Sequence, residues 1–367
     1  EHKITHIVNC AATVCNDYFP SKYEYKTYHL LDGKTEDITV IFLDVMEYIH
    51  QALSENGKIF IHCQQGISRS STALICYLMW LWKKPAAHVH EEVKKLRNIS
   101  CPNAGFYAQL LKWQKVLSTN AENRPTELYM VHPHNLVAPD VLILKKVEAT
   151  TDALDPRGVF ILVTSKALYT WEGAKAHPAC MARAKEYLVL MRKFLDMPDV
   201  DVPTTQGAEP ADFWKALGAD TPPAAIAPCE LYDGKMNLLG LYDRRNEHWE
   251  PTKDAERLPF KVTERALFFY QCHWDTVTHQ VTKDFLCRPN HIFAVLTYVG
   301  AKRVPTVYLW LGSQYDMIND REVENSGLQL LTRNEIFMAT SDYKIYVVRG
   351  GHELQDFWTE LSPFLSG

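Results

Sequence analysis

His62-Cys63-Gln64-Gln65-Gly66-Ile67-Ser68-Arg69-Ser70 lies between a short apolar run, Lys58–His62, and a longer one, Ser70–Trp82. The first run predicts a strand and the second a buried helix, so this stretch is the turn that joins them. Cys63 and Arg69 are separated by five residues, with a glycine in their midst. A loop this short, entering a helix N-terminus, aims successive backbone N–H groups inward and forms an anion nest, which the helix dipole reinforces. Gln64, Gln65, Gly66, Ile67 and Ser68 supply that backbone, and the guanidinium of Arg69 can grip two phosphate oxygens in a bidentate fork. The same field lowers the pKa of Cys63 and favours its thiolate. A nucleophile then faces a bound phosphoryl group, as covalent catalysis requires. A nucleotide-binding Walker loop is excluded, because no Lys-Ser or Lys-Thr follows a glycine at the required place.

Outward from the loop, residues 1–118 alternate short strands with helical patterns. Ile4–Asn9 and Glu24–Leu30 read as strands, and Ile38–Ser54 has apolar residues at helical spacing. Ala86–Ile99 and Ala104–Leu117 read as amphipathic helices. This alternation predicts an α/β domain with a mostly parallel sheet flanked by helices. Cys76 and Cys101 are expected to be inert buried thiols. Ser118–Pro125 and Ala219–Pro228 read as linkers.

The pattern His-Cys-x5-Arg-Ser resembles the signature of the protein tyrosine phosphatase superfamily. Its continuation, Ser71-Thr72 and then Cys76-Tyr77-Leu78-Met79, is similar to the dual-specificity branch and to MAP kinase phosphatases in particular, as is Ser100-Cys101-Pro102-Asn103-Ala104-Gly105-Phe106. The resemblance covers residues 1–118 and begins later than such domains do, so the first strands and helix of the family are expected to be missing. It implies a general acid about 30 residues before the cysteine. Asp32 fills that place, after a strand and before Gly33. Its rivals are Asp37, which could cap the helix at Ile38, and Asp44, expected to be solvated on the helix surface. Ser70 resembles the hydroxyl that assists thiolate departure, and His62 reads as a buried orienting group. No Lys-Asn-Arg-Tyr string, the mark of the deep-pocket tyrosine-only enzymes, occurs. That implies a pocket open to phosphoserine and phosphothreonine as well as phosphotyrosine. Gln64, Gln65 and Ile67 stand where lipid phosphatases of the superfamily carry lysines. Phosphoprotein is therefore expected as substrate, with a MAP kinase as the candidate.

The remaining two thirds repeats itself. Glu127-Leu128-Tyr129 recurs as Glu230-Leu231-Tyr232, and Tyr169-x-Trp171-x-Gly173 as Tyr308-x-Trp310-x-Gly312. Gly207-x-Glu209-x-x-Asp212-Phe213-Trp214 recurs as Gly351-x-Glu353-x-x-Asp356-Phe357-Trp358. The ordered matches indicate a duplication, with an insertion in the second copy between Asn237 and Pro305. The copies, 126–218 and 229–363, resemble gelsolin repeats, and the whole order resembles plant-type MAP kinase phosphatases. The resemblance implies α+β repeats and raises actin as a partner. Calcium fits less well. Val163 or Thr164, and Thr297, stand where an acid is usual, and His177–Ala182 holds none; only Glu322 or Glu324 offers one in the second copy. No metal and no cofactor is expected.

Bulk properties agree with this reading. The chain has 367 residues, 47% of them hydrophobic, and a net charge of −5. These values do not point to a nucleic-acid partner. The longest apolar run, Leu74–Trp82, is too short to span a bilayer. Nine cysteines without paired spacing indicate reduced thiols and a cytoplasmic or nuclear setting. Two readings stand at this point: an active dual-specificity phosphatase carrying regulatory repeats, and an actin- or partner-binding protein whose phosphatase domain is vestigial.

Overall fold

The computed structural model describes residues 3–135, 138–229, 266–270, 274–277, 280–289, 291–299, 304–315, 343–353 and 355–365, with scattered positions in 232–239 and 323–327. They form two compact units, residues 1–132 with 143–228, and residues 133–142 with 229–367.

The first unit opens with a three-stranded parallel sheet of β1 (His6–Asn9), β2 (Glu24–Thr27) and β3 (Ile59–His62), in the order β2-β1-β3. The parallel pairing follows from the helical crossover between β2 and β3. A 3-10 turn, Ile38–Ile41, runs into α1 (Phe42–Ser54). Ile38, Ile41, Phe42 and Ile49 are all but fully buried, each contributing about 1.5–3 kcal/mol of transfer free energy. The apolar run after the loop becomes α2 (Arg69–Trp82). It packs against α1, α3 (Ala86–Leu96) and α4 (Ala104–Ser118). The predicted elements thus form within a few residues of their expected ends, and the sheet is parallel as expected.

In the same unit, save the end residues Pro133 and Leu142, β4 (Glu127–Pro133), β5 (Leu142–Val147), β6 (Val159–Val163), β7 (Leu168–Glu172) and β8 (Asp201–Thr205) form a five-stranded sheet ordered β5-β4-β6-β7-β8. The parallel β7–β8 pair is bridged by the long helix α5 (Pro178–Phe194), and α6 (Ala211–Ala216) follows.

The second unit repeats this plan. Strands β9 (Ala266–Tyr270), β10 (Trp274–Val277), β11 (Ile292–Val299), β12 (Val304–Leu311) and β13 (Lys344–Arg349) are ordered β10-β9-β11-β12-β13, and α7 (Gln355–Leu361) follows. The repeated motifs meet each other in space. Trp171 donates its indole N–H to Glu209 at 2.8 Å, and Trp310 donates to Glu353 at 2.9 Å. The same carboxylates accept the backbone N–H groups of Gly207 and Gly351.

One part of the expected duplication is corrected. Leu128 opposes Leu162 on β6, and its counterpart opposing Val295 on β11 is Leu267. The strand equivalent to Glu127-Leu128-Tyr129 is therefore Ala266-Leu267-Phe268. Leu128 precedes Tyr169 by the same interval as Leu267 precedes Tyr308, so the extra residues fall before the second sheet and not inside it. Glu230 and Leu231 lie outside the described residues, and Tyr232 belongs to neither sheet.

Candidate active site

Cys63 leaves β3 and is 6% exposed. Gly66 turns the loop with a φ of 68°, a conformation that costs other residues dearly. Ser68 begins α2, and Arg69 and Ser70 occupy its first turn. The Cys63 Sγ lies 3.3 Å from the Ser70 Oγ. Burial pushes the thiol pKa up. The Ser70 hydroxyl, the backbone N–H groups of Ser70 and Gly66 and the charge of Arg69 outweigh it and hold Cys63 below its ordinary value. Cys10 and Cys76 are pushed the other way, because burial outweighs the charge of Arg69 near the first and the Trp113 hydrogen bond at the second. The nest thus selects one thiol for ionisation. Cys101 is exposed, not buried as expected.

Arg69 is itself buried. Its Nη1 donates to the Leu30 carbonyl at 2.9 Å, and its Nε lies 3.7 Å from the Asp32 carboxylate. The guanidinium therefore links the phosphate loop to the segment that carries the candidate acid. Asp32 accepts a hydrogen bond from Asn103 Nδ2 at 2.9 Å. Asn103 also caps α4 through the N–H of Phe106 and donates its own N–H to the Ser68 Oγ.

The rivals to Asp32 are otherwise engaged. Asp37 accepts from the backbone and hydroxyl of Thr39 and caps the turn before α1. Asp44 is not solvated: it is 7% exposed and accepts from Arg183 and Tyr187 of α5. His62 is half-buried instead of buried. It stacks on Phe60, and its Nδ1 lies 3.4 Å from the carbonyl of Cys63. Gln64 and Gln65 are exposed, and Gln65 lines the cleft beside Cys63; both are neutral, so the loop has no side-chain cation before Arg69.

Two site residues escaped sequence reasoning. Asn103 ties the acid segment to the loop, and Arg97 donates to the Gly66 carbonyl at 3.3 Å. Arg97 stands at the rim of a cleft of about 360 Å³ that Phe60, Cys63, Gly66, Ser70 and Leu74 also line. Neither bears a spacing signal relative to Cys63; only tertiary packing brings them close.

Among the described residues no group of His, Cys, Asp and Glu is placed to hold a metal ion. Thr297, where an acid was sought, donates its hydroxyl to Glu360. Glu324 is exposed, and Glu322 lies outside the described residues. No described helix is long and apolar enough to cross a membrane.

Residues 1–116 match the family model described as dual specificity phosphatase, catalytic domain, and residues 142–214 match that of the gelsolin repeat. The Arabidopsis thaliana protein-tyrosine-phosphatase MKP1 is 34% identical over 268 residues, 72% of this chain and 32% of that protein. The Homo sapiens dual specificity protein phosphatase 1 is 35% identical over 111 residues, 30% of each chain. The crystal structure of DUSP15 is 28% identical over 30% of this chain and 70% of that one, at a TM-score of 0.30. The chain spans about a third of the length of these curated relatives.

Proposed function

We propose, for a chain that carries a dual specificity phosphatase catalytic domain at residues 1–116 and a gelsolin repeat at residues 142–214, that it hydrolyses phosphotyrosine and phosphoserine or phosphothreonine in proteins through a phospho-cysteine. The observation that carries this reading is the setting of Cys63: its Sγ lies 3.3 Å from the Ser70 Oγ in a cleft it helps to line, and Ser70, Gly66 and Arg69 hold its pKa below the ordinary value.

The steps follow from the residues. The Cys63 thiolate attacks phosphorus and the bond to the leaving oxygen breaks. Asp32 gives its proton to that oxygen, and Arg69 holds the non-bridging oxygens. Water then attacks the phospho-cysteine, and Asp32 takes the proton that the water loses. The sulfur–phosphorus bond breaks, the Ser70 hydroxyl donates to the departing thiolate, and inorganic phosphate leaves. His62 orients the strand end beside Cys63, and the backbone from Gln64 to Ser68 receives the phosphate oxygens. No metal or cofactor enters any step.

The neutral side chains of Gln64, Gln65 and Ile67 favour a phosphoprotein over a polyphosphoinositide, which would call for further cations in the loop. The likeness to the plant MKP1 and the human phosphatase supports a MAP kinase as the substrate. Nine cysteines without paired spacing fit a cytoplasmic or nuclear enzyme. Residues 1–118, 126–218 and 229–363 serve in this reading as catalytic domain and two repeats, with actin as the repeats' candidate partner. Co-sedimentation with filaments, with and without calcium, tests that part.

The central test is Cys63→Ser in the full chain. Turnover of phosphorylated protein should fall by at least about four orders of magnitude, while the variant retains phosphoprotein in a pull-down. Hydrolysis that survives the substitution would sink the mechanism. A wild-type chain that binds partners through its repeats yet turns over no phosphate ester would favour the vestigial alternative.

A further inference from the structure

The acid segment, residues 30–37, is anchored at several points. Arg69 holds the Leu30 carbonyl. Gln109 of α4 clasps the far end, donating to the Glu36 carbonyl at 2.7 Å and accepting from the N–H of Ile38. The chain then passes through the Ile38–Ile41 turn into α1, whose first turn carries Asp44.

Asp44 is where the first gelsolin-like repeat takes hold of the catalytic domain, inside one compact unit. The Tyr187 hydroxyl donates to Oδ2 at 2.7 Å, and Arg183 donates to Oδ1. The Arg183 guanidinium lies 4.3 Å above the Tyr187 ring. One turn along, Lys193 donates to Glu47 at 2.6 Å. Beyond it Phe194 meets Trp80 edge-on, with centroids 4.9 Å apart, and approaches the His50 ring. A buried ion pair adds little net stability over an apolar contact of the same size, because desolvating both charges offsets their attraction. Its gain is geometry: a carboxylate accepting from two directed donors permits one register of α5 against α1 and few others. That register is fixed at the turn of α1 nearest the acid segment.

We propose that Arg183 and Tyr187 of the repeat are positioning residues for the phosphatase, holding Asp44 and through it the segment that presents Asp32 to the leaving group. The inference rests on the phosphatase reading above. It assigns the repeat's long helix a task within this chain and makes proton donation the step that the repeat governs. Attack by Cys63 itself is set by the loop and the first turn of α2, whereas Phe194 of α5 meets α2 near its other end, at Trp80.

The test uses the full chain with Arg183→Met, Arg183→Lys and Tyr187→Phe, and a series of aryl phosphates graded by leaving-group pKa. Arg183→Met should lower kcat about tenfold for the most basic leaving groups, which need the proton, and no more than about twofold for the most acidic ones. Arg183→Lys should fall between Arg183→Met and wild type. A lowered melting temperature with an unchanged leaving-group slope would make α5 a structural prop and overturn the proposal. If Arg183→Met fails to fold, Tyr187→Phe, which removes one hydroxyl, should show the same change of slope in smaller measure. Hydrogen exchange over residues 30–38 gives an answer independent of turnover. Exchange should rise in Arg183→Met, and unchanged exchange overturns the positioning role even if no substrate is ever turned over. An inactive wild-type chain, together with the expected rise in Arg183→Met, would instead count against the phosphatase reading alone.

Discussion

Ser70 has two duties toward Cys63, one through its hydroxyl and one through its backbone N–H, and both act on the same sulfur. Ser70→Ala removes only the first. The pH midpoint of Cys63 alkylation by iodoacetamide should move upward, because the thiolate loses a charge-assisted hydrogen bond. Breakdown of the phospho-cysteine should slow by about ten- to a hundredfold. An unmoved midpoint would show that the N–H groups and Arg69 suffice. Cys63, Arg69 and Ser70 were legible in the sequence because the loop's chemistry is local: each sits at a fixed offset from the strand end and the helix start. Asp44 was not legible. An acidic residue in an amphipathic helix normally faces water, and its burial depends on Arg183, 139 residues away.

At the scale of elements, the acid segment is held where α4 begins. A Cβ added to Gly105 would come within 2.0 Å of the Lys34 carbonyl, a contact that no side-chain rotation relieves. Gly105→Ala must therefore displace the backbone two residues beyond Asp32. The expected result is a fall in kcat of about a hundredfold for phosphoserine substrates, whose leaving oxygen needs the proton, since a shift of about 1 Å costs that much. Substrate affinity should change little, because Arg69 and the loop are untouched; equal losses in kcat and affinity would contradict this. The helices and strands of this domain were legible from apolar spacing to within a few residues. The role of α4 as the acid segment's floor was not: the family-like segment Ser100–Phe106 marked Asn103 and Gly105 without showing what they touch, and Gln109 looks in sequence like an ordinary polar position of an amphipathic helix.

Across the whole molecule, the two five-stranded sheets share one strand order and one Trp–Glu tie. The gapped motifs Tyr-x-Trp-x-Gly and Gly-x-Glu-x-x-Asp-Phe-Trp found that symmetry. The contiguous Glu-Leu-Tyr match misled, because its recurrence at 230–232 precedes the second sheet, whose equivalent strand holds Ala266-Leu267-Phe268. Truncating either Glu209 or Glu353 to alanine leaves a buried indole N–H without its acceptor and should lower the unfolding free energy by about 1–3 kcal/mol. For Glu353, burial pushes the pKa up, but the bonds from Trp310 and the backbone hold it below its ordinary value of 4.5. Its contribution is thus fully present above pH about 4.5 and is lost as the pH falls through the lower folded value. Glu353→Gln, which can still accept from Trp310, should flatten the acid limb of stability measured by chemical denaturation; an unchanged limb would assign the acid sensitivity elsewhere. The seam at Asp44 also bears on how the chain is made. The ribosome releases the carboxylate long before the guanidinium that will cover it. At roughly 5–20 residues per second, the interval between Asp44 and Arg183 is on the order of ten seconds. For that time the nascent catalytic domain carries an uncovered face of α1, with the rings of His50 and Trp80 beside it, and is a client for whatever shields young chains at the exit tunnel.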